Sequence, residues 1–152
     1  MFIDILLYFE YTVEMARKKF EYLNHTADLG IRVFGSTVEE LFINTAQAIF
    51  EIQISGKLVV KQEIEIAVEA ENLEELLIDW CRELLYNFSV HRFIPMNYDI
   101  SLQQLKLSAR INGDLLDLKR HKIKTDIKNV TYHNLTVKKQ KNGYEATIVF
   151  DV

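Results

Sequence analysis

Three separate features of the sequence carry side chains that could do chemistry. The segment NHTADLGIRVFG, residues 24–35, places His25 and Asp28 directly before a strand-like run. His133 falls within a second strand-like run, and Asp151 stands one residue from the end of the sequence. Imidazole nitrogens and carboxylate oxygens are groups that bind metal ions or transfer protons. The residue types therefore allow a metal site, provided that the fold brings them together.

Each of these residues also has an ordinary structural interpretation. Asp28 fits a polar loop with a capping aspartate, and His133 fits a hydrogen-bonded structural histidine. Asp151 fits a solvated strand end, because it follows the polar face of the alternation Glu145, Thr147, Val149. The sequence has no glycine-rich phosphate-binding loop, no His-Glu-x-x-His motif and no pair of cysteines. Taken alone, the residues predict an α+β domain in which a carboxylate site is one open alternative.

The composition narrows the class of protein. The 152 residues are 49% hydrophobic, which is enough for one ordinary domain with a buried core. The formal net charge of -4 argues against binding nucleic acid over a large surface, because phosphate neutralisation needs excess Lys and Arg. No apolar run reaches the roughly 20 residues that span a bilayer. The single Cys81 excludes a disulfide framework, and we expect cytoplasmic residence without a membrane partner.

The first 14 residues differ from the rest of the chain. They are apolar and aromatic, with three acidic residues and no basic one, and Met15 follows directly. They lack the basic start and small-residue cleavage site of a signal peptide. We interpret residues 1–14 as an N-terminal extension that is disordered, forms an added strand or helix, or derives from an upstream start codon. The domain proper is expected to span residues 15–152.

Hydrophobic periodicity predicts alternating strands and helices in the N-terminal half. Short strands are predicted at 20–24 and 29–35, and a strand at 59–70. A helix is predicted at 37–51 behind the capping patterns of Ser36 and Thr37. Asn72 is predicted to cap a second helix whose buried stripe comprises Leu73, Leu76, Leu77, Trp80, Cys81, Leu84, Leu85 and Phe88.

The C-terminal half predicts strands only. Alternation over 105–112 ends at Asn112-Gly113, which predicts a tight hairpin into Leu115–Leu118. Two later strands, VTYHNLTVKK and YEATIVFDV, are joined around Asn142-Gly143. The predicted fold class is therefore α+β, with two helices packed on a largely antiparallel sheet in a two-layer single domain.

Four segments together resemble the archease family. They are YLNHTADLGIRVFGST, LEELLIDWCRELL, IKNVTYHNLTV and the terminal ATIVFDV, in the same order and at similar spacing. The resemblance runs from about Phe20 to Val152. Each motif alone is weak, but HTAD-x-G combined with TYH and a near-terminal aspartate is specific.

The resemblance implies an accessory protein rather than an enzyme. Archeases are partners of the RtcB-type RNA ligase, which joins tRNA exons using a 3′-phosphate or 2′,3′-cyclic phosphate end and a 5′-hydroxyl. Archease promotes guanylylation of the ligase, restores multiple turnover and can broaden the choice of nucleotide triphosphate. The protein would then meet tRNA only indirectly, through the ligase. A chaperone-like role in modulating tRNA methylation is the alternative that the resemblance implies.

The resemblance also implies a metal site. Asp28 and Asp151 would supply carboxylate ligands, and a main-chain oxygen of Val152 would complete the protein ligands. Such hard oxygen donors suit Ca²⁺, Mg²⁺ or Mn²⁺ and not zinc. His25 is expected to orient Asp28 without binding the ion. His133 is expected near the same corner, as a partner contact or as a structural histidine.

Two alternatives stay open. One is a stand-alone, metal-dependent phosphoesterase built on Asp28 and Asp151, although no nucleophile or general base has a motif partner. The other is a nucleic-acid-binding module, which the overall charge disfavours. The segment KRHKIKTDIK, residues 119–128, is more basic than the resemblance leads us to expect. It is either a solvated loop or a contact with RNA or an acidic ligase surface.

Overall fold

A computed structural model describes residues 19–23 and 28–152 of the chain. The predicted N-terminal extension and His25 lie outside these residues. The elements in chain order are β1 Phe20–Tyr22, β2 Leu29–Gly35, α1 Val38–Gln53, β3 Ile54–Ser55, β4 Gln62–Glu69, α2 Leu73–His91, β5 Phe93–Gln103, β6 Lys106–Leu115, β7 Lys122–Ile123, β8 Asn129–Gln140 and β9 Gly143–Asp151. Two helices and antiparallel strands confirm the predicted α+β class.

The antiparallel pairing is divided among three sheets. One sheet has the order β1-β2-β9-β8, a second has the order β4-β6-β5, and β3 pairs only with β7. Strand alternation identifies which residues face a core, but it carries no information on which strands are neighbours. The first sheet joins strands from opposite ends of the chain, and this long-range pairing brings the candidate site residues together.

Local capping begins both helices as the sequence predicts. The Thr37 hydroxyl accepts a hydrogen bond from the Glu40 N–H at 3.1 Å, and the Asn72 side chain accepts one from the Glu75 N–H at 2.8 Å. Each bond satisfies a backbone donor that has no partner inside the helix. At its far end α2 stops at Arg92, whose left-handed backbone (φ 59°) turns the chain into β5.

The core forms where both helices meet both larger sheets. α1 contacts β2 and β5, and α2 contacts β8 and β4. Trp80 is fully buried, and its indole N–H donates to the carbonyl oxygen of Phe42 at 2.9 Å, which ties the two helices together. Of the described part of the chain, neither helix combines the length and the apolar character needed to cross a membrane.

Cys81 lies in this core as a buried hydrophobic residue. Its side chain is fully buried, and burial raises the pKa of the thiol to about 12. Only the thiolate is nucleophilic, so the native protein should hardly react with iodoacetamide at neutral pH. The same protein in denaturant should react completely. Mass spectrometry of both samples checks this, and rapid labelling of the native protein would contradict the buried position.

The predicted hairpin at Asn112-Gly113 is wrong. Both residues lie inside β6, where Gly113 pairs with Pro95 of β5 and Gln62 of β4. A side chain at Gly113 would overlap the carbonyl oxygen of Ile94, so glycine is needed there for close backbone approach and not for a turn. The actual β5–β6 hairpin turns at Gln104 and Leu105, both with positive φ (47° and 64°), as a tight two-residue hairpin requires.

Candidate metal centre

The four-stranded sheet has a core face and an outer face. β2 and β9 pair in antiparallel register from Leu29–Phe150 to Gly35–Tyr144. Ile31 and its partner Ile148 are fully buried against the core. Because successive side chains alternate between faces, the even-numbered residues of β2 and the odd-numbered residues of β9 lie on the outer face.

Asp28 and Asp151 lie at one end of this outer face. The β2–β9 pairing ends at Leu29–Phe150, and Asp28 and Asp151 are the next residue on each chain segment, so both stand at the same end of the sheet. On its other side Asp151 pairs with Asn129 of β8, and its carbonyl oxygen accepts a hydrogen bond from the Lys128 N–H at 2.8 Å. Both carboxylates are exposed, as is Val152. Long-range strand pairing thus brings to one end of the sheet two acids that are 123 positions apart in the sequence.

A cavity of about 310 Å³ lies on the outer face beside Asp28. It brings Asp28 and His133 into one site, whereas Asp151 and Val152 are not among the described residues that line it. The lining residues are Leu23, Asp28, Gly30, Arg32, His133, Asn134, Thr147 and Val149. The side chain of His133 is therefore near the predicted corner.

A bulge in β8 gives the TYH motif its shape. Residues 132–135 stand opposite the single residue Ile148, because the pairing shifts between Thr131–Val149 and Thr136–Thr147. The Tyr132 hydroxyl donates to a Glu75 carboxylate oxygen of α2 at 2.9 Å, and the next side chain, His133, lines the cavity instead. Among the described residues the imidazole of His133 has no hydrogen-bond partner, and the side chain is exposed.

Arg32 is a cavity residue that the sequence did not single out. Its guanidinium donates to Glu21 at 2.9 Å and forms an ion pair with Glu145 at 2.7 Å. Because side chains along a strand alternate between its two faces, the spacing of Arg32 and Asp28 places both on the same face of the sheet. That alternation is the sequence signal that could have identified Arg32. Glu21 and Glu145 thus fix the guanidinium on the outer face, in the cavity that Asp28 also lines.

The donor chemistry of this corner fits a hard divalent ion. Asp28 and Asp151 offer carboxylate oxygens, and the exposed Val152 offers a main-chain oxygen. Ca²⁺, Mg²⁺ and Mn²⁺ bind such oxygens, and a site with few protein ligands leaves further positions for water. Within the ranges that the structure describes, no group of three or more His, Cys, Asp or Glu side chains is arranged to hold a metal. A metal site at this corner would therefore rest on two carboxylates and main-chain oxygens, which is the ligand set that the family resemblance implies.

The basic segment 119–128 is anchored by a buried carboxylate. Asp114 is fully buried, and Arg120 binds both of its oxygens at 3.0 and 3.1 Å. The backbone N–H groups of Val59 and Leu115 donate to the same carboxylate at 3.0 and 2.7 Å. Burial alone would raise the pKa of Asp114, but these hydrogen bonds outweigh it and hold the pKa well below its usual range.

His121 completes this cluster. Its Nδ1 accepts a hydrogen bond from the Asp117 N–H at 3.0 Å, which leaves the ring proton on Nε2. Nε2 lies 3.0 Å from the Lys57 carbonyl oxygen and 3.2 Å from Asp114. The segment is therefore not a uniformly solvated loop: Arg120 and His121 turn inward, and β7 within it pairs with β3.

Comparison with known proteins places the chain in a family. The model of the Archease protein family matches residues 20–152. The archease of Methanosarcina barkeri is 36% identical over 141 residues, which cover 89% of this chain and 97% of that protein. The archease of Pyrococcus abyssi is 33% identical, covering 89% of this chain and 99% of that protein. The chain belongs to the archease family, as its motifs predicted.

Two solved structures share the fold. Protein 1598 of Methanobacterium thermoautotrophicum, determined in solution, has a TM-score of 0.68 and 25% identity, covering 88% of this chain and 98% of that one. An archease of Thermotoga maritima, described as a possible chaperone, has a TM-score of 0.64 and 22% identity, covering 87% of this chain and 96% of that one. The α+β architecture is thus that of known archeases.

Proposed function

We propose that this chain activates an RtcB-type RNA ligase and is not itself an enzyme. The proposal assigns a divalent ion to Asp28, Asp151 and a main-chain oxygen of Val152. The observation that carries it is the β2–β9 register, which puts the two carboxylates at the same end of the sheet, where Asp28 lines a cavity with His133. Family membership supports the choice of partner.

The position of the site suits a protein that acts through a partner. Both carboxylates are exposed at the end of a sheet, where an ion held by few protein ligands stays accessible to a second molecule. When bound, a divalent cation there would supply positive charge for nucleotide phosphate oxygens. Asp28 and Asp151 hold the ion, and Arg32 and His133 offer nitrogen donors in the adjoining cavity.

Two other functions make different demands on the same residues. A phosphoesterase needs an activated nucleophile and a general base; the cavity beside Asp28 offers Thr147 and His133 for these roles, but no hydrogen bond joins them among the described residues. A chaperone-like modulator of tRNA methylation would require binding to a methyltransferase rather than to a ligase. The Thermotoga maritima relative, described as a possible chaperone, favours keeping this second candidate.

A ligase turnover assay tests the proposed function. The protein is added at a substoichiometric amount to the purified ligase with RNA that ends in a 2′,3′-cyclic phosphate. We expect multiple turnovers and faster ligase guanylylation only when both proteins are present. Product formation by the chain alone would support the phosphoesterase, and an unchanged ligase rate would contradict the proposal.

Replacing His133 by alanine should separate partner contact from metal binding. An imidazole is a poor ligand for a hard cation, so Ca²⁺ or Mn²⁺ affinity should not change. Activation should fall by about tenfold, the size expected for loss of one good polar contact. The matched variant is His91→Ala, which removes another exposed imidazole at the end of α2, outside this cavity, and should activate the ligase as the wild type does. A drop in thermal stability with normal activation would instead show a structural histidine.

A further inference from the structure

Two adjacent loops expose lysines and aliphatic side chains, and none of these residues lines the cavity beside Asp28. The first loop follows β3 and the second precedes and includes β7. Val60 is 55% exposed and Leu118 is 68% exposed, which is unusual for aliphatic residues next to a folded core. We define the lysine patch as Lys57, Val60, Lys61, Leu118, Lys119 and Lys122, all of them exposed.

The buried cluster around Asp114 holds the two loops in a fixed relation. Asp114 accepts from the Val59 N–H of the first loop and from the Arg120 guanidinium of the second. His121 of the second loop lies 3.0 Å from the Lys57 carbonyl oxygen of the first. Ser55 pairs with Lys122 between β3 and β7. The patch is therefore preorganised, so a partner would not need to order it on binding.

The lysine patch carries positive charge that is free to contact a partner. The two carboxylates of the cluster that anchors the loops, the buried Asp114 and the partly exposed Asp117, are both bound to Arg120. The pKa of Asp117 is lowered first by a hydrogen bond from the Lys119 N–H and also by the charges of Arg120 and Lys61. Within the described residues, none of the four patch lysines has an ion-pair partner. A locally basic surface thus stands on a protein whose formal net charge is -4.

We propose that the lysine patch is a docking surface for an acidic protein surface with apolar contacts. This inference rests on the proposed function, because it identifies the acidic surface as part of the RNA ligase. Charge complementarity selects an acidic partner and accelerates its association. Val60 and Leu118 would be desolvated at the centre of the contact, while the lysine ammonium groups surround them.

The side chains of the patch favour a protein over RNA as its occupant. Proteins that bind single-stranded RNA use aromatic side chains on which bases stack, and arginine planes that also stack. The patch has neither: its apolar members are aliphatic, and the one arginine of the cluster is bound to two carboxylates. Contact with phosphates gives exposed aliphatic side chains no favourable binding free energy. Contact with a protein surface does, because it buries their apolar area.

Charge reversal tests this surface. Lys119→Glu/Lys122→Glu should weaken binding to the purified ligase by about tenfold or more at low salt, and the deficit should narrow as salt screens the charges. Leu118→Ser should weaken binding at every salt concentration. Lys139→Glu/Lys141→Glu, at the exposed β8–β9 hairpin, changes the net charge equally and should bind as the wild type does. Calorimetry measures affinity, and thermal melts verify folding.

The outcomes separate this inference from the proposed function. If the wild type binds the ligase and both Lys119→Glu/Lys122→Glu and Leu118→Ser bind equally well, the docking surface is refuted and the activator function stands. If the wild type does not bind the ligase, both the docking surface and the proposed activator function are refuted. If charge reversal leaves ligase affinity intact but weakens filter binding of tRNA, the patch binds RNA and the inference is wrong.

Discussion

Replacing Asp28 and Asp151 together by alanine should abolish ligase activation and leave the fold intact. Both side chains are exposed at the end of the four-stranded sheet, so their removal opens no cavity in the core. If the two share a divalent ion, the double variant retains too few oxygen donors to hold it. Without an ion the two carboxylates repel each other, so their loss should not lower the free energy of unfolding of the metal-free protein.

Variants at single positions should distinguish complete loss of the metal site from its weakening. Asp28→Ala and Asp151→Ala should each abolish activation, because each removes one of two charged ligands. Asp151→Asn keeps an oxygen donor without the charge and should weaken Mn²⁺ binding without eliminating it. Removing Val152 should also weaken the site, since the chain would then end at Asp151. Mn²⁺ affinity by calorimetry and ligase guanylylation rates are the two measurements.

A matched pair of acids provides the control. Glu65→Ala/Asp99→Ala removes two exposed carboxylates from the three-stranded sheet, where both stand beside Arg110. This variant should bind Mn²⁺ and activate ligase as the wild type does. The metal assignment fails if the double variant of Asp28 and Asp151 activates at the wild-type rate, or if it binds Mn²⁺ with unchanged affinity.

Signals within a few residues predicted the helices well. Capping by Thr37 and Asn72 and the apolar stripe around Trp80 depend on spacings of three and four residues, which a sequence displays directly. The prediction of a hairpin at Asn112-Gly113 was wrong because glycine is used both in tight turns and where two backbones approach closely. In β6 the glycine admits the Ile94 carbonyl, and only the neighbouring strand reveals that need.

The candidate site depended on information that no local pattern contains. Asp28 and Asp151 came from a family resemblance, and their alignment requires the pairing of β2 with β9. The Asp114 cluster was missed because its contacts join residues 55 and 64 positions apart, Val59 with Asp114 and Lys57 with His121. Arg120 stands among lysines in the sequence and therefore resembles one more solvated cation.

Asp114 should be the polar residue whose loss destabilises the protein most. Asp114→Ala leaves the N–H groups of Val59 and Leu115 without their acceptor and separates Arg120 from its principal partner. Removing one member of a buried ion pair typically costs about 3–5 kcal/mol of unfolding free energy. Urea unfolding at pH 7 measures this loss. Glu65→Ala removes an exposed partner of Arg110, and its loss should lower stability far less.

The pH dependence of the stability lost in Asp114→Ala tests whether the charge of the Asp114 carboxylate causes that loss. Because the pKa of Asp114 is lowered in the folded protein, its stabilising contribution is fully present above the unfolded-state pKa of about 4. The contribution is lost as the pH falls below that value towards the folded-state pKa. The stability difference between wild type and Asp114→Ala should therefore be constant from pH 7 to pH 5 and shrink below pH 4. A difference that stays constant at low pH would mean that packing, and not the carboxylate charge, holds the two loops of the lysine patch together.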